Sequence, residues 1–168
     1  MAGEYQGSVV WRGGMAFEAS AGSGGSLILD ASPDLGGANR GPRPMELLLL
    51  GLAGCTGMSV LSVLRRSDGE IVDYRVSTRG TQRHAHPRVF TTIEVEHRIR
   101  GRGLTPDAVD RAVLLAATRF CPVAAMLGEV ADVVETWLLL DDATGAEIGK
   151  GRILPGDPAE ALDRSSKE

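Results

Sequence analysis

Apolar positions along this chain change their spacing in a way that lays out its elements in order. Between residues 8 and 31 the short runs SVVWR, MAFEAS and SLILDA are separated by Gly13-Gly14 and by the glycine-rich AGSGG, which predicts a three-stranded meander. A Pro- and Gly-rich loop, SPDLGGANRGPRP, leads into PMELLLLGLAGCTGMSVLSVLRR over residues 44–66. That segment predicts a helix apolar on nearly every side, closed by Arg65 and Arg66 and ended by Ser67-Asp68-Gly69. Period-two runs follow, IVDYRVSTRG and RVFTTIEVEHRIRG, the second with Val89, Thr91, Ile93 and Val95 alternating against Phe90, Thr92, Glu94 and Glu96. Joined by TQRHAHP, they read as an antiparallel ribbon. Thr105 as N-cap and Pro106 at the first helical position open a second helix, with an apolar stripe of Ala108, Val109, Ala112, Val113, Leu115 and Ala116. Pro122 pushes Cys121 out of the α region, so this helix bends there and a short one follows from Val123 to Gly128. VADVVETWLLL is a last strand. The polar remainder, residues 141–168, is broken by Gly and Pro and reads as a flexible tail behind a single domain of residues 1–140.

The 44–66 run is long enough to cross a membrane. Thr56, Ser59, Ser62 and three glycines dilute it, however, and amphipathic strands surround it, so it is better explained as a helix buried between a sheet and another helix. The chain's 168 residues, 43% hydrophobic, suit one domain or one protomer of a compact oligomer. With 18 basic and 22 acidic residues the net charge is −4, which offers no footprint for nucleic acid and no basic patch for a membrane surface. MAGEYQGSVVWRGG lacks the layout of a secretion signal, so a cytoplasmic protein is expected, in which both cysteines rest as thiols. No CxxC pair suggests zinc or thioredoxin-like chemistry.

At about 100° per residue, Gly51, Cys55 and Ser59 fall on one helical stripe with Ser62 near it, and that stripe is small. Another backbone or a substrate could approach Cys55 there. The plainer reading is a small core residue, and the same holds for Cys121 at its helix end. The residues also carry a resemblance. VVWRGGMAFEA with SGGSLILD, then PMELLLLGLAGCTGMSVLSVLRR, RHAHPRVFTTIEVEHRIRG and VDRAVLLAATRFCPVAAML, in that order over about residues 8–140, resemble the OsmC/Ohr family of thiol-dependent hydroperoxidases, its OsmC-like branch most. The resemblance implies an α+β fold: an interlocked homodimer whose antiparallel sheets wrap around two long central helices, with active sites at the dimer interface. It also implies that Cys55 is the peroxidatic thiol and Cys121 the resolving one. The first would be oxidised by an organic hydroperoxide to a sulfenic acid and would then form a Cys55–Cys121 disulfide, which a thiol reductant reopens. No cofactor and no metal are called for.

Three further positions are candidates for activating the thiol or orienting the peroxide. The family's peroxidases carry a Glu ten residues before the first cysteine. Met45 stands there in this chain, so weaker thiol activation is expected, and Glu46 is one step later. Nine residues on a straight helix amount to about 900° and roughly 13.5 Å, so Glu46 faces away from its own Cys55 unless a partner chain or a break intervenes. A first-turn acid complementing the helix dipole is the simpler role for it. Arg12, in the N-terminal hairpin, and Arg83, four residues before Pro87, are the candidate arginines, with a solvated charge as the alternative for each. His84 and His86 could join the cysteines in a zinc site, although loop histidines beside a proline are more simply solvated. Two functions are therefore expected to compete. One is a hydroperoxide reductase. The other is a non-catalytic or weakly catalytic dimer that binds a small hydrophobic ligand in its interface cleft.

Overall fold

The computed structural model describes residues 3–154. The chain divides into two compact units, Met1–Leu48 and Leu49–Glu168, where the sequence suggested one domain of residues 1–140. In the first unit β1 (Gly7–Trp11), β2 (Phe17–Ala21) and β3 (Ser26–Leu29) form the expected antiparallel meander. Gly13 and Gly14 turn β1 into β2 at φ of 88° and 57°, a region closed to most side chains. Beyond β3 the loop folds on the buried carboxylate of Asp30, which accepts hydrogen bonds from the backbone N–H groups of Ala31, Ala38 and Arg40 and from Arg40 Nε. These donors, the Arg40 amide foremost, hold the Asp30 carboxyl below its ordinary range against the opposing effect of burial.

Helix α1 (Pro44–Leu64) begins in this unit and runs into the second. It is the segment with membrane-span length and composition, yet Leu52, Thr56, Gly57, Val60 and Leu64 are buried against protein. In the second unit β4 (Glu70–Gln82), β5 (Phe90–Arg102), β6 (Asp132–Asp141) and β7 (Glu147–Ile153) form one sheet in that order. Strand β5 shows why: Ile93, Val95, His97 and Ile99 are fully buried on one face while Glu94, Glu96, Arg98 and Arg100 point to solvent. Helix α2 (Pro106–Leu115) is capped by Thr105, whose hydroxyl accepts from the Ala108 N–H. Val60 and Leu64 of α1, Val109, Ala112 and Val113 of α2, and Ile99, Trp137, Leu139 and Ile153 of the sheet make a shared core.

Two expectations need correction. The sheets are not antiparallel throughout, because β5 and β6 pair in parallel, from Thr92↔Asp132 to Gly101↔Asp141. Parallel neighbours require a long crossover, and the helical segment between Arg102 and Asp132 provides it. The presumed tail is also not loose at its start. Glu147–Ile153 pairs antiparallel with β6 and buries Ile153, and only residues 155–168 of that tail lie outside the described residues. Gly149 and Gly151 explain the misreading. A Cβ at Gly151 would sit 2.4 Å from the Trp137 indole nitrogen, and one at Gly149 would sit 2.9 Å from the Pro106 ring, so the inward face of β7 is glycine because an aromatic ring and a proline already fill the space.

Candidate active site

Helix α2 continues into a π turn, Ala116–Phe120, in which the Cys121 N–H bonds to the Ala116 carbonyl at 3.1 Å. Cys121 then leaves helical geometry at φ −88° and ψ 103°, as the following proline requires. Helix α3 (Pro122–Gly128) departs at 68° to the segment before it. The break turns Cys121 inward: its sulfur accepts the Ala124 N–H at 3.3 Å, and Cys55 lies near enough to act on its thiol. Both thiols are free, Cys121 buried and Cys55 half-buried. A Cβ added at Gly51 or Gly54, on the turn of α1 before Cys55, meets nothing within 4 Å, so open space adjoins the helix there.

Burial first, then the neighbouring Cys55, pushes the Cys121 thiol up to about 12, outweighing the amides at its sulfur. Cys121 therefore stays protonated across the neutral range. Because its folded pKa is raised above the ordinary 9.0, the stability it contributes is fully present below pH 9.0 and is lost as pH rises toward about 12. Iodoacetamide at pH 8 is expected to carbamidomethylate Cys55 in the native protein and to reach Cys121 only after unfolding, which peptide mass mapping would read. Equal labelling of both at pH 8 would mean that Cys121 is not sealed.

The other sequence candidates are engaged elsewhere. Glu46 accepts the Arg43 backbone N–H at 2.8 Å and the Arg43 guanidinium at 3.2 Å, the reciprocal half of a capping box at the start of α1. Arg12 pairs with Glu18 within the N-terminal unit. Arg83 is exposed at the tip of the β4–β5 hairpin, where its Nε donates to the Pro87 carbonyl. It lies seven residues past Val76, the residue that packs beside Gly57 of α1, which is about 23 Å along the strand. Its own chain's thiols are therefore out of its reach. His84 and His86 are exposed, and among the described residues no three His, Cys, Asp or Glu side chains cluster as metal ligands.

One constellation escaped the sequence. The Thr56 hydroxyl donates to the Glu135 carboxylate, at 3.2 and 3.1 Å to its two oxygens. His97 Nε2 meets Glu135 Oε2 at 2.8 Å, and His97 Nδ1 meets the Tyr74 hydroxyl at 2.6 Å. Protons arranged in one direction satisfy the whole row: Tyr74 O–H to Nδ1, then Nε2–H to the carboxylate. Burial, and then the charge of Glu135, push the Tyr74 hydroxyl upward, so it remains a donor. The row crosses β4, β5 and β6 diagonally and ends on α1 one residue from Cys55. Its traces in the sequence are His97, in phase with the buried Ile93, Val95 and Ile99, and Glu135, a lone acid inside an apolar run.

Comparison with known proteins adds to this geometry. Protein YhfA of Escherichia coli K12 is 32% identical over 132 residues, which span 79% of this chain and 96% of YhfA. The crystal structure of an OsmC-like protein from Mycoplasma pneumoniae matches with a TM-score of 0.72 at 17% identity, over 83% of this chain and 99% of that one. The structure of an organic hydroperoxide resistance protein OsmC from Legionella pneumophila matches with a TM-score of 0.59 at 19% identity, over 79% and 95% of the two chains. Those two likenesses are of fold. The family described as OsmC-like protein matches residues 36–136, the span that carries α1, both thiols, strands β4 and β5 and the first half of β6, and the chain belongs to that family.

Proposed function

We propose that this protein is a cysteine-based peroxidase that reduces organic hydroperoxides as a homodimer. The observation that carries the reading is the pair of free, neighbouring thiols, one on a helix flanked by open space and the other buried at a helix break. In the first step the Cys55 thiolate attacks the terminal oxygen of ROOH. The O–O bond breaks, sulfur is oxidised to Cys55–SOH, and the alkoxide leaves as ROH after taking a proton from water. In the second, Cys121–SH forms an S–S bond with the sulfenic sulfur, and the hydroxyl leaves as water with the Cys121 proton. An external dithiol supplies two electrons and two protons to restore both thiols.

Support for an organic substrate comes from a cavity of about 340 Å³ whose apolar wall is Val63, Leu64, Ala108, Leu115 and Phe120, the last being the residue before Cys121, with Arg66, Ser67 and Arg111 completing its lining. The Legionella protein of the same fold is named for organic hydroperoxide resistance. Support for a dimer comes from Leu48, Leu50 and Met58 of α1 and Val9, Val10 and Trp11 of β1, large apolar side chains that a single chain leaves exposed. Turnover of cumene hydroperoxide and of hydrogen peroxide should be compared with a dithiol as reductant. Consumption of the organic peroxide at least about tenfold faster is expected. No consumption of either would favour the second reading, a dimer binding a small apolar ligand, which Met45 keeps in play because a thioether cannot orient an arginine.

A further inference from the structure

Helix α1 is apolar on almost every side, and such a helix is held to a sheet without being told its rotation about its own axis. Burial would be nearly as favourable a fraction of a turn away, and 100° of rotation carries Cys55 to a different face. Something more directional must set its register. Thr56 is fully buried, and its hydroxyl meets a carboxylate that is itself 1% exposed. A buried acid is costly unless fully paired, and Glu135 is paired on both sides, by Thr56 and by His97. Among the described residues no buried side-chain N or O lacks a partner, so this is a completed arrangement and not a vacant ligand site. Gly57 supports it, because a Cβ there would stand 3.2 Å from Val76 Cγ2, so the helix lies close against the sheet at this turn.

The next inward residue of the same strand does the same for the other helix. Trp137 Nε1 donates to Asp110 Oδ1 of α2 at 2.9 Å. Strand β6 thus fastens the Cys55 helix at Glu135 and the Cys121 helix at Trp137, two residues apart.

We infer that Glu135 and Trp137 are positioning residues, two fixed points on β6 that hold α1 and α2 in the register that keeps Cys55 beside Cys121. The inference deepens the proposed peroxidase cycle and rests on that reading for its biological use, but the disulfide it concerns can be measured without any peroxide.

The test is the equilibrium of the Cys55–Cys121 disulfide against a glutathione redox buffer, read by mass spectrometry after acid quench. Thr56→Val keeps the shape and leaves Glu135 paired with His97, but it removes the directional bond. With that bond gone the intramolecular disulfide should become about 10-fold or more less favoured, and Thr56→Ser should restore it. Trp137→Phe, which removes only the indole N–H, should lower it several-fold. Loss of stability alone would shift the urea midpoint without changing the disulfide equilibrium of the folded protein. If Thr56→Val and Trp137→Phe both fold and both match wild type, the inference is wrong. If Thr56→Val does not fold, Trp137→Phe decides alone. A wild type that ignores hydroperoxides while the variants still shift the disulfide would remove the peroxidase reading and leave the positioning intact.

Discussion

Cys55→Ser is expected to abolish hydroperoxide consumption, whereas Cys121→Ser should react once and stop. The two thiols are neighbours, but they are not equivalent. Cys55 is half-buried beside the open stripe of Gly51 and Gly54, and Cys121 is buried with its pKa pushed up to about 12. At pH 7 Cys121 therefore presents almost no thiolate, and thiolate is the species that attacks the O–O bond. A serine hydroxyl cannot replace it, so loss of at least about 10³-fold is expected for Cys55→Ser. In Cys121→Ser the sulfenic acid forms and has no sulfur to close on, so a single equivalent of ROOH is consumed and dimedone adds a stable mass to the Cys55 peptide. Equal single-turnover activity in the two variants would reverse or remove the assignment of roles.

Ending the chain after Ala146 is expected to cost about 4 kcal/mol or more relative to a chain ending at Leu154. Removing β7 takes away Ile153, which is 6% exposed, and a buried isoleucine is alone worth about 2–5 kcal/mol. It also uncovers the face of Trp137 that now lies against the glycine backbone of β7, and it strips the hydrogen-bonded partner from β6. Urea unfolding of both chains at one fixed protein concentration provides the comparison, since an oligomer's stability depends on concentration. A difference below about 1 kcal/mol would mean that β7 adds nothing to the fold and that a polar tail was the right description after all.

What the chain discloses before folding depends on whether the cause is local. Helix α1, the Thr105-Pro106 start of α2 and the bend at Cys121-Pro122 are dictated by residues within a few positions of one another, and the structure has each where the sequence places it. The alternation of β5 was legible for the same reason. Strand β7 was not, because EIGKGRI carries its inward positions as Gly149, Gly151 and Ile153, and those glycines make sense only once Trp137 and Pro106 lie on top of them. The parallel pairing of β5 with β6 is a fact about residues some forty positions apart, which no local period records. Glu135 and His97 were visible as polar residues within strands, but their meaning depends on Thr56 and Tyr74 arriving from two other elements. At the site, both cysteines stood out as candidates. Glu46 was legible as a helix-start acid, and its capping partner is the residue just before the helix.

The π turn before Cys121 closes a ring one residue larger than an α turn, from Ala116 to Cys121. Deleting one residue between 116 and 120 would let the α repeat resume with Cys121 as the ordinary i+4 neighbour of Ala116, so the sulfur would keep its side of the helix, whereas inserting one into the preceding α-helical turns would swing it roughly 100° about the axis, away from Cys55. Exchanging the exposed Thr118 or Arg119 for another residue would leave the count untouched. The turn thus tolerates the loss of one residue better than the gain of one, and a relative whose alignment shows a one-residue gap here would still carry its cysteine on the same side of the helix.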